Sequence, residues 1–159
     1  MRVLYLSTKL YGTMGYKVKE VPVEEILSIR SAELREGLDP EQCRFAEDDD
    51  EGAIHLGLFD EGKIIGCLSV FRKKHESFNE LNQNQYRGMA VTKTYQGNAM
   101  GNLLLNKADR MVLARKENFI WIHARKLALN FYRRNGYSVV GASFDIPGIG
   151  EHYLMYKRL

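Results

Sequence analysis

Apolar and polar positions along this chain switch between strand-like and helical patterns, and the elements can be read in order. Tyr16 to Val21 reads as a strand. Pro22 suits a helix entry, because its fixed φ and missing N–H are tolerated in a first turn. Val23, Ile26, Leu27 and Leu34 then recur at helical spacing through Glu36, and Gly37 with Asp39-Pro40 stops the helix. Glu47 to Glu51 is an acidic loop. Ala53 to Phe59 and Lys63 to Phe71 read as strands of a hairpin turning at Asp60-Glu61-Gly62. Arg72 to Asn84 is polar and aperiodic, a loop, and Gln85 to Val91 is the next strand. From Leu103 to Lys116 a helix places Leu104, Leu105, Ala108, Met111 and Val112 on one face. Phe119 to Ala124 is a buried strand, and Lys126 to Arg134 a short helix closed by Asn135-Gly136. Tyr137 to Phe144 and His152 to Lys157 are the last strands, on either side of a loop from Asp145 to Gly150. This order predicts an α/β protein with one largely antiparallel sheet and helices on its faces.

Composition narrows the picture. A chain of 159 residues with no internal repeat or linker is expected to form one domain. Apolar content of 45% and charged content of 27% are those of an ordinary globular protein. The net charge of +3 is spread along the chain, with no basic cluster interleaved with aromatics, so nucleic acid is not an expected partner. Cys43 and Cys67 form no CxxC pair and no disulfide framework, which points to a reduced, cytoplasmic protein. With His55 they lack metal-ligand spacing, so no metal is expected. The amino terminus lacks the apolar run of a signal peptide, and no segment approaches the ~20 apolar residues that span a bilayer. The expected partners are small soluble molecules or another soluble protein.

The first chemistry-bearing stretch is Tyr95 to Asn102, between the strand ending at Val91 and the helix beginning at Leu103. First-turn amides of a helix have no intrahelical acceptor and sit at the positive end of its dipole. Gly97, Ala99 and Gly101 are small enough to let an anion approach those amides, so the stretch reads as a phosphate cradle. It is neither a Walker loop nor the dinucleotide fingerprint, since no Gly-Lys-Ser/Thr follows and the glycine spacing differs. Gln96 has two roles open to it, capping the loop or donating to a phosphate oxygen.

The second stretch is Ala124 to Tyr137, with Leu127-Ala128-Leu129-Asn130-Phe131-Tyr132 and Asn135-Gly136-Tyr137. A Gln-x-x-x-x-Gly loop opening a helix, followed by a strand and Ala-x-x-Phe-Tyr-x-x-x-Gly-Tyr, resembles the GNAT superfamily of acyl-CoA-dependent N-acetyltransferases. The resemblance runs from about Tyr16 to the carboxyl terminus and leaves residues 1–15 as an addition to a single GNAT-like domain. The ending Pro147 to Lys157 is also similar to a small bacterial branch of that superfamily.

The resemblance implies a mixed, mostly antiparallel sheet splayed around acetyl-CoA, with helices on both faces. It implies that amides of Gln96, Gly97, Asn98, Ala99, Met100, Gly101 and Asn102 hold the pyrophosphate. The methyl of Ala99, where glycine is usual, disfavours a positive φ. Met89, Ala90 and Val91 stand where backbone groups meet the pantetheine arm and the acyl carbonyl, and Asn130 where a side chain touches the thiol end. Tyr132 stands where a tyrosine protonates the departing thiolate, a role its ordinary pKa near ~10 suits at neutral pH.

The acceptor is expected to be a primary amine, on a small molecule or a peptide, attacking directly in a ternary complex. For its general base the residues leave three options: His123, His152 or ordered water. Arg35, Arg87, Arg125 and the acidic run Asp48 to Asp50 are candidates for shaping the acceptor pocket; two arginines would favour a carboxylate or phosphate on the acceptor. Many small members of that superfamily pair, so a homodimer is open to this chain, although no stripe in the sequence establishes one. The alternatives are a non-catalytic acyl-CoA sensor on the same fold and a basic nucleic-acid-binding domain, against which the spread charge argues.

Overall fold

The computed structural model describes residues 15–159, so the segment read as an amino-terminal addition lies outside the described residues up to residue 14. Among them seven strands form one open sheet: β1 (Tyr16–Glu20), β2 (Ile54–Asp60), β3 (Lys63–Arg72), β4 (Asn84–Val91), β5 (Phe119–Arg125), β6 (Ser138–Ile146) and β7 (Gly150–Arg158). Their spatial order is β1-β2-β3-β4-β5-β7-β6. Every neighbouring pair is antiparallel except β4 with β5. The expected mixed, mostly antiparallel sheet is therefore present.

Two helices clamp the sheet. Helix α1 (Leu27–Leu34) covers one face, where Ile26, Leu27 and Ile29 bury against Cys67 and Ala90. Helix α2 (Met100–Ala114) covers the other, setting Leu104, Leu105, Ala108 and Val112 against Leu56, Val70, Tyr86, Ile120 and Ile122. The apolar face read from the sequence is this buried stripe, although Met111 is only partly buried. A 3-10 turn at Lys126–Ala128 links β5 to helix α3 (Leu129–Arg134), so the short helix expected from Lys126 is split. No helix among the described residues is long and apolar enough to cross a membrane.

Several boundaries differ from expectation. The helix expected from Pro22 to Glu36 splits into a 3-10 turn at Val23–Glu25 and the shorter α1. α2 begins at Met100, three residues early, because Ala99 turns the chain into it. The predicted loop from Asp145 to Gly150 is half strand: Asp145 pairs with Glu151 and Ile146 with Gly150, leaving a tight turn at Pro147-Gly148-Ile149. His152 accordingly lies within β7, opposite Arg125 of β5 and Phe144 of β6.

Candidate active site

The site begins with a defect in β4. Cys67 pairs with Ala90 and Ser69 with Arg87, so Leu68 faces two residues, Gly88 and Met89. This is a β-bulge, a device that re-aims a strand next to a site. Gly88 has φ +67, which a side chain resists, and a Cβ there would come within 2.8 Å of the Phe45 ring. The bulge therefore needs glycine for its backbone and for its neighbour.

Phe45 is itself held between two guanidinium groups. Arg30 and Arg87 each place Cζ 3.9 Å from its ring centroid. Arg30 is only 1% exposed. It donates to both Asp48 carboxylate oxygens at 2.7 and 2.8 Å and to Ser69 Oγ at 2.9 Å. Asp48 also accepts from the Phe45 amide at 2.8 Å. The carboxyl of Asp48 is burdened by burial, but hydrogen bonds from Arg30 and Phe45 outweigh this and hold it below its ordinary range. Asp48 is thus no part of an acceptor pocket. It is a buried counter-ion that fixes Phe45, and Phe45 backs the bulge.

Beyond the bulge the sheet opens. β4 and β5 pair only at Asn84–Ile120 and Gln85–Trp121, although both strands continue for several residues. The expected splay is therefore present. It leaves the edge of β4 from Tyr86 onward without a ladder partner on the β5 side.

At the open end lies the Gly-rich loop. Ala99 has φ +61 and ψ 19, a left-handed conformation, so the expectation that its methyl would disfavour positive φ is overturned. The position is the N-cap of α2, and the surrounding loop outweighs the local cost. No side chain caps the helix, and the first-turn amides at Met100, Gly101 and Asn102 remain available to an anion. Gly101 lies against α3, where a Cβ would come within 2.8 Å of Phe131. Gln96 takes the first of its two roles: its Nε2 donates to the Val91 carbonyl at 2.8 Å and braces the loop on β4. Asn102 accepts from Asn135 at 3.1 Å, which ties the helix start to the end of α3. Uncapped amides and an unpaired strand edge match the diphosphate and the amide-bearing arm of acetyl-CoA.

On the α1 face, strand alternation builds a cleft of about 720 Å³. β5 sends Trp121, His123 and Arg125 into it, and β4 sends Gln85 and Arg87. His152 is 4% exposed and reaches the cleft from β7. Its Nδ1 lies 2.7 Å from the Gly150 carbonyl, which can only accept, so the proton sits on Nδ1 and Nε2 is left as acceptor. His123 keeps an exposed edge but is crowded by His75 at 5.6 Å and Phe144 at 4.9 Å. Desolvation first, and then the neighbouring His75 and His152, push its imidazole down to about 4. Tyr132 reaches the cleft from α3, and desolvation raises its phenol above the ordinary range.

The cleft thus brings together Tyr132, His123, His152, Met89 and all three predicted arginines. Arg87 pairs with Glu47 at 3.1 Å, and Glu47 also binds Lys73. Ala90, Val91 and the loop from Gln96 to Asn102 lie outside the cleft lining, toward the open end of the splay. Asn130 is exposed on α3 and does not line the cleft. Sequence reading missed Phe45, Gln85, Trp121 and His75. The period-2 run Trp121-x-His123-x-Arg125 was the available clue, and Phe45 had none, since only the fold brings it to Gly88.

Residues 45–139 match the family model described as Acetyltransferase (GNAT) domain. Over 143 residues the chain is 34% identical to the uncharacterized N-acetyltransferase YitI of Bacillus subtilis, covering 90% of this chain and 96% of that protein. Its fold is similar to that of a GNAT family acetyltransferase from Staphylococcus aureus, with a TM-score of 0.69 at 16% identity, over 91% of this chain and 99% of that one. It is also similar in fold to an aminoglycoside 6'-N-acetyltransferase complexed with coenzyme A, with a TM-score of 0.66 at 12% identity, over 89% and 96% of the two chains. The bulged and splayed sheet, the uncapped helix and these matches agree: the chain belongs to the GNAT family of acetyltransferases.

Proposed function

We propose that this N-acetyltransferase moves an acetyl group from acetyl-CoA to a primary amine by direct attack, with Tyr132 as the acid and His152 as the base. The carrying observation is that Tyr132, His152 and the bulge at Gly88-Met89 face one cleft at the splay. Acetyl-CoA supplies the activated acyl group. Amides of the α2 start hold its diphosphate, and backbone groups of Met89, Ala90 and Val91 take the arm and polarise the carbonyl. Neutral His152 accepts the amine proton at Nε2. Tyr132 keeps its phenolic proton at neutral pH and delivers it to the sulfur.

Direct transfer is favoured over a cysteine relay. Cys43 and Cys67 are both buried, and burial pushes the Cys67 thiol up to about 12. Two unpaired cysteines also support a cytoplasmic setting. His152 is preferred to His123 because its Nδ1 is taken by the Gly150 carbonyl, which leaves Nε2 to accept, whereas burial pushes the His123 imidazole down to about 4.

Coenzyme A release over a broad amine panel tests this reading, with Tyr132→Phe and His152→Gln as controls. Turnover that falls in both variants supports it. Calorimetric binding of acetyl-CoA without thiol release from any amine would instead favour a non-catalytic sensor.

A further inference from the structure

We propose that the acceptor is an amine that also carries an anionic group, a carboxylate or a phosphate, held by Arg35 and Arg125. The proposal rests on the acyl-transfer reading above. Arg35 follows the last turn of α1 and Arg125 ends β5, yet both guanidinium groups donate to one carbonyl, that of Leu34, at 3.3 and 3.4 Å. All three residues line the cleft. Neither arginine forms an ion pair with a carboxylate among the described residues. Two like charges converging on a neutral oxygen repel, and most of their donors remain open. An anion between them would satisfy both, in the forked geometry that guanidinium groups favour.

Arg87 and Lys73, which also line the cleft, behave differently. They share Glu47, and Arg87 also stacks on Phe45. Of the three arginines named from the sequence, Arg35 and Arg125 are therefore the pair left open to an anion. Glu76 is the single carboxylate among the lining residues, against Arg35, Lys73, Lys74, Arg87 and Arg125. That imbalance opposes polyamines and other polycations, which meet charge of their own sign.

Position links the anion to the chemistry. Arg125 is the direct cross-strand partner of His152. Side chains so paired on one face of a sheet are close neighbours. An acceptor anchored at Arg125 therefore presents its amine near His152 Nε2. Gln85 adds a second hold: it is 5% exposed, it lines the cleft, and its Oε1 is buried without a partner among the described residues. Such an oxygen accepts an N–H of the acceptor.

Matched amines decide the matter: lysine against cadaverine, phenylalanine against 2-phenylethylamine, phosphoethanolamine against ethanolamine. Coenzyme A release is measured for wild type, Arg35→Met, Arg125→Met and the double variant, with acetyl-CoA affinity from calorimetry for each. The expected result is a preference of at least about tenfold in kcat/KM for an anionic member. That ratio collapses toward one in the double variant while acetyl-CoA affinity holds. The amino acid and phosphate arms separate the two anions. Equal turnover within every pair overturns the proposal, as does spermidine as the best acceptor. The lack of any turnover by protein that binds acetyl-CoA removes the acyl-transfer reading, and the proposal with it. Failure of wild type to bind acetyl-CoA removes the acyl-transfer reading itself, and the proposal with it.

Discussion

The amide of Tyr137 donates to the carbonyl of Tyr132 at 3.1 Å, and the two rings meet edge to face with centroids 5.3 Å apart. Gly136, at φ +89, makes the turn, and its own amide donates to Arg133 at 3.1 Å. Together these bonds are a Schellman motif, with its usual apolar contact made by the two tyrosines. The proposed acid is thus fixed by the helix ending itself, while its hydroxyl makes no hydrogen bond within the described residues.

Tyr132→Phe keeps that ring and that helix ending. It is expected to lower kcat by about 10²- to 10⁴-fold, the usual range for a general acid. Unfolding in urea should stay within about 0.5 kcal/mol of wild type, and calorimetry should show unchanged acetyl-CoA affinity. Full turnover in this variant would assign the acid elsewhere.

Ala99 holds a left-handed conformation at the head of α2. That conformation costs a side chain roughly 1–2 kcal/mol, and glycine returns part of the gain through the freedom of the unfolded chain. Ala99→Gly should therefore stabilise the protein by roughly 0.5–1 kcal/mol in urea titrations. Destabilisation would mean that the methyl group packs usefully.

Asp48 is the counter-ion of the buried Arg30. Asp48→Asn leaves that guanidinium without its charge partner, which should cost about 3–5 kcal/mol of stability. Because the same carboxylate fixes Phe45 against the bulge, kcat should also fall at temperatures where the variant is fully folded, as judged by circular dichroism. Loss of stability alone, with kcat intact, would separate Phe45 from the bulge.

His123 titrates at about 4, below its ordinary 6.5. Between those values the unfolded chain binds a proton that the native state refuses. The stability that His123 contributes is therefore complete above 6.5 and is lost as pH falls toward about 4. Thermal midpoints measured across this window should fall less steeply for His123→Gln than for wild type. Since the imidazole is neutral well below neutral pH, the variant should keep any acid limb of kcat that lies between about pH 5 and 7. Disappearance of such a limb with this substitution would make His123 the base.

Local pattern and short-range chemistry determined most of the architecture. Helix α2 was legible because Leu104, Leu105, Ala108 and Val112 must share one face to be buried, and the hairpin at Asp60-Glu61-Gly62 because its turn residues permit little else. The uncapped start of α2 was legible too, since small residues before a helix expose its first amides whatever the rest of the chain does. Tyr132 could be singled out only through family likeness, as an aromatic in a short helix carries no mark of its own.

The tertiary structure alone decided what faces what. Ala99 is left-handed because the surrounding loop holds its turn against local preference. Asp48 is buried because Arg30, eighteen residues earlier, lies beneath it, and no local pattern foretells a partner at that distance. Phe45 reaches Gly88, and Arg35 reaches Arg125, only after the sheet has placed α1 beside the end of β5. Backbone hydrogen bonding and apolar periodicity act over a few residues and can be read along a line, whereas a cleft is a meeting of remote side chains whose positions depend on the packing of the whole sheet.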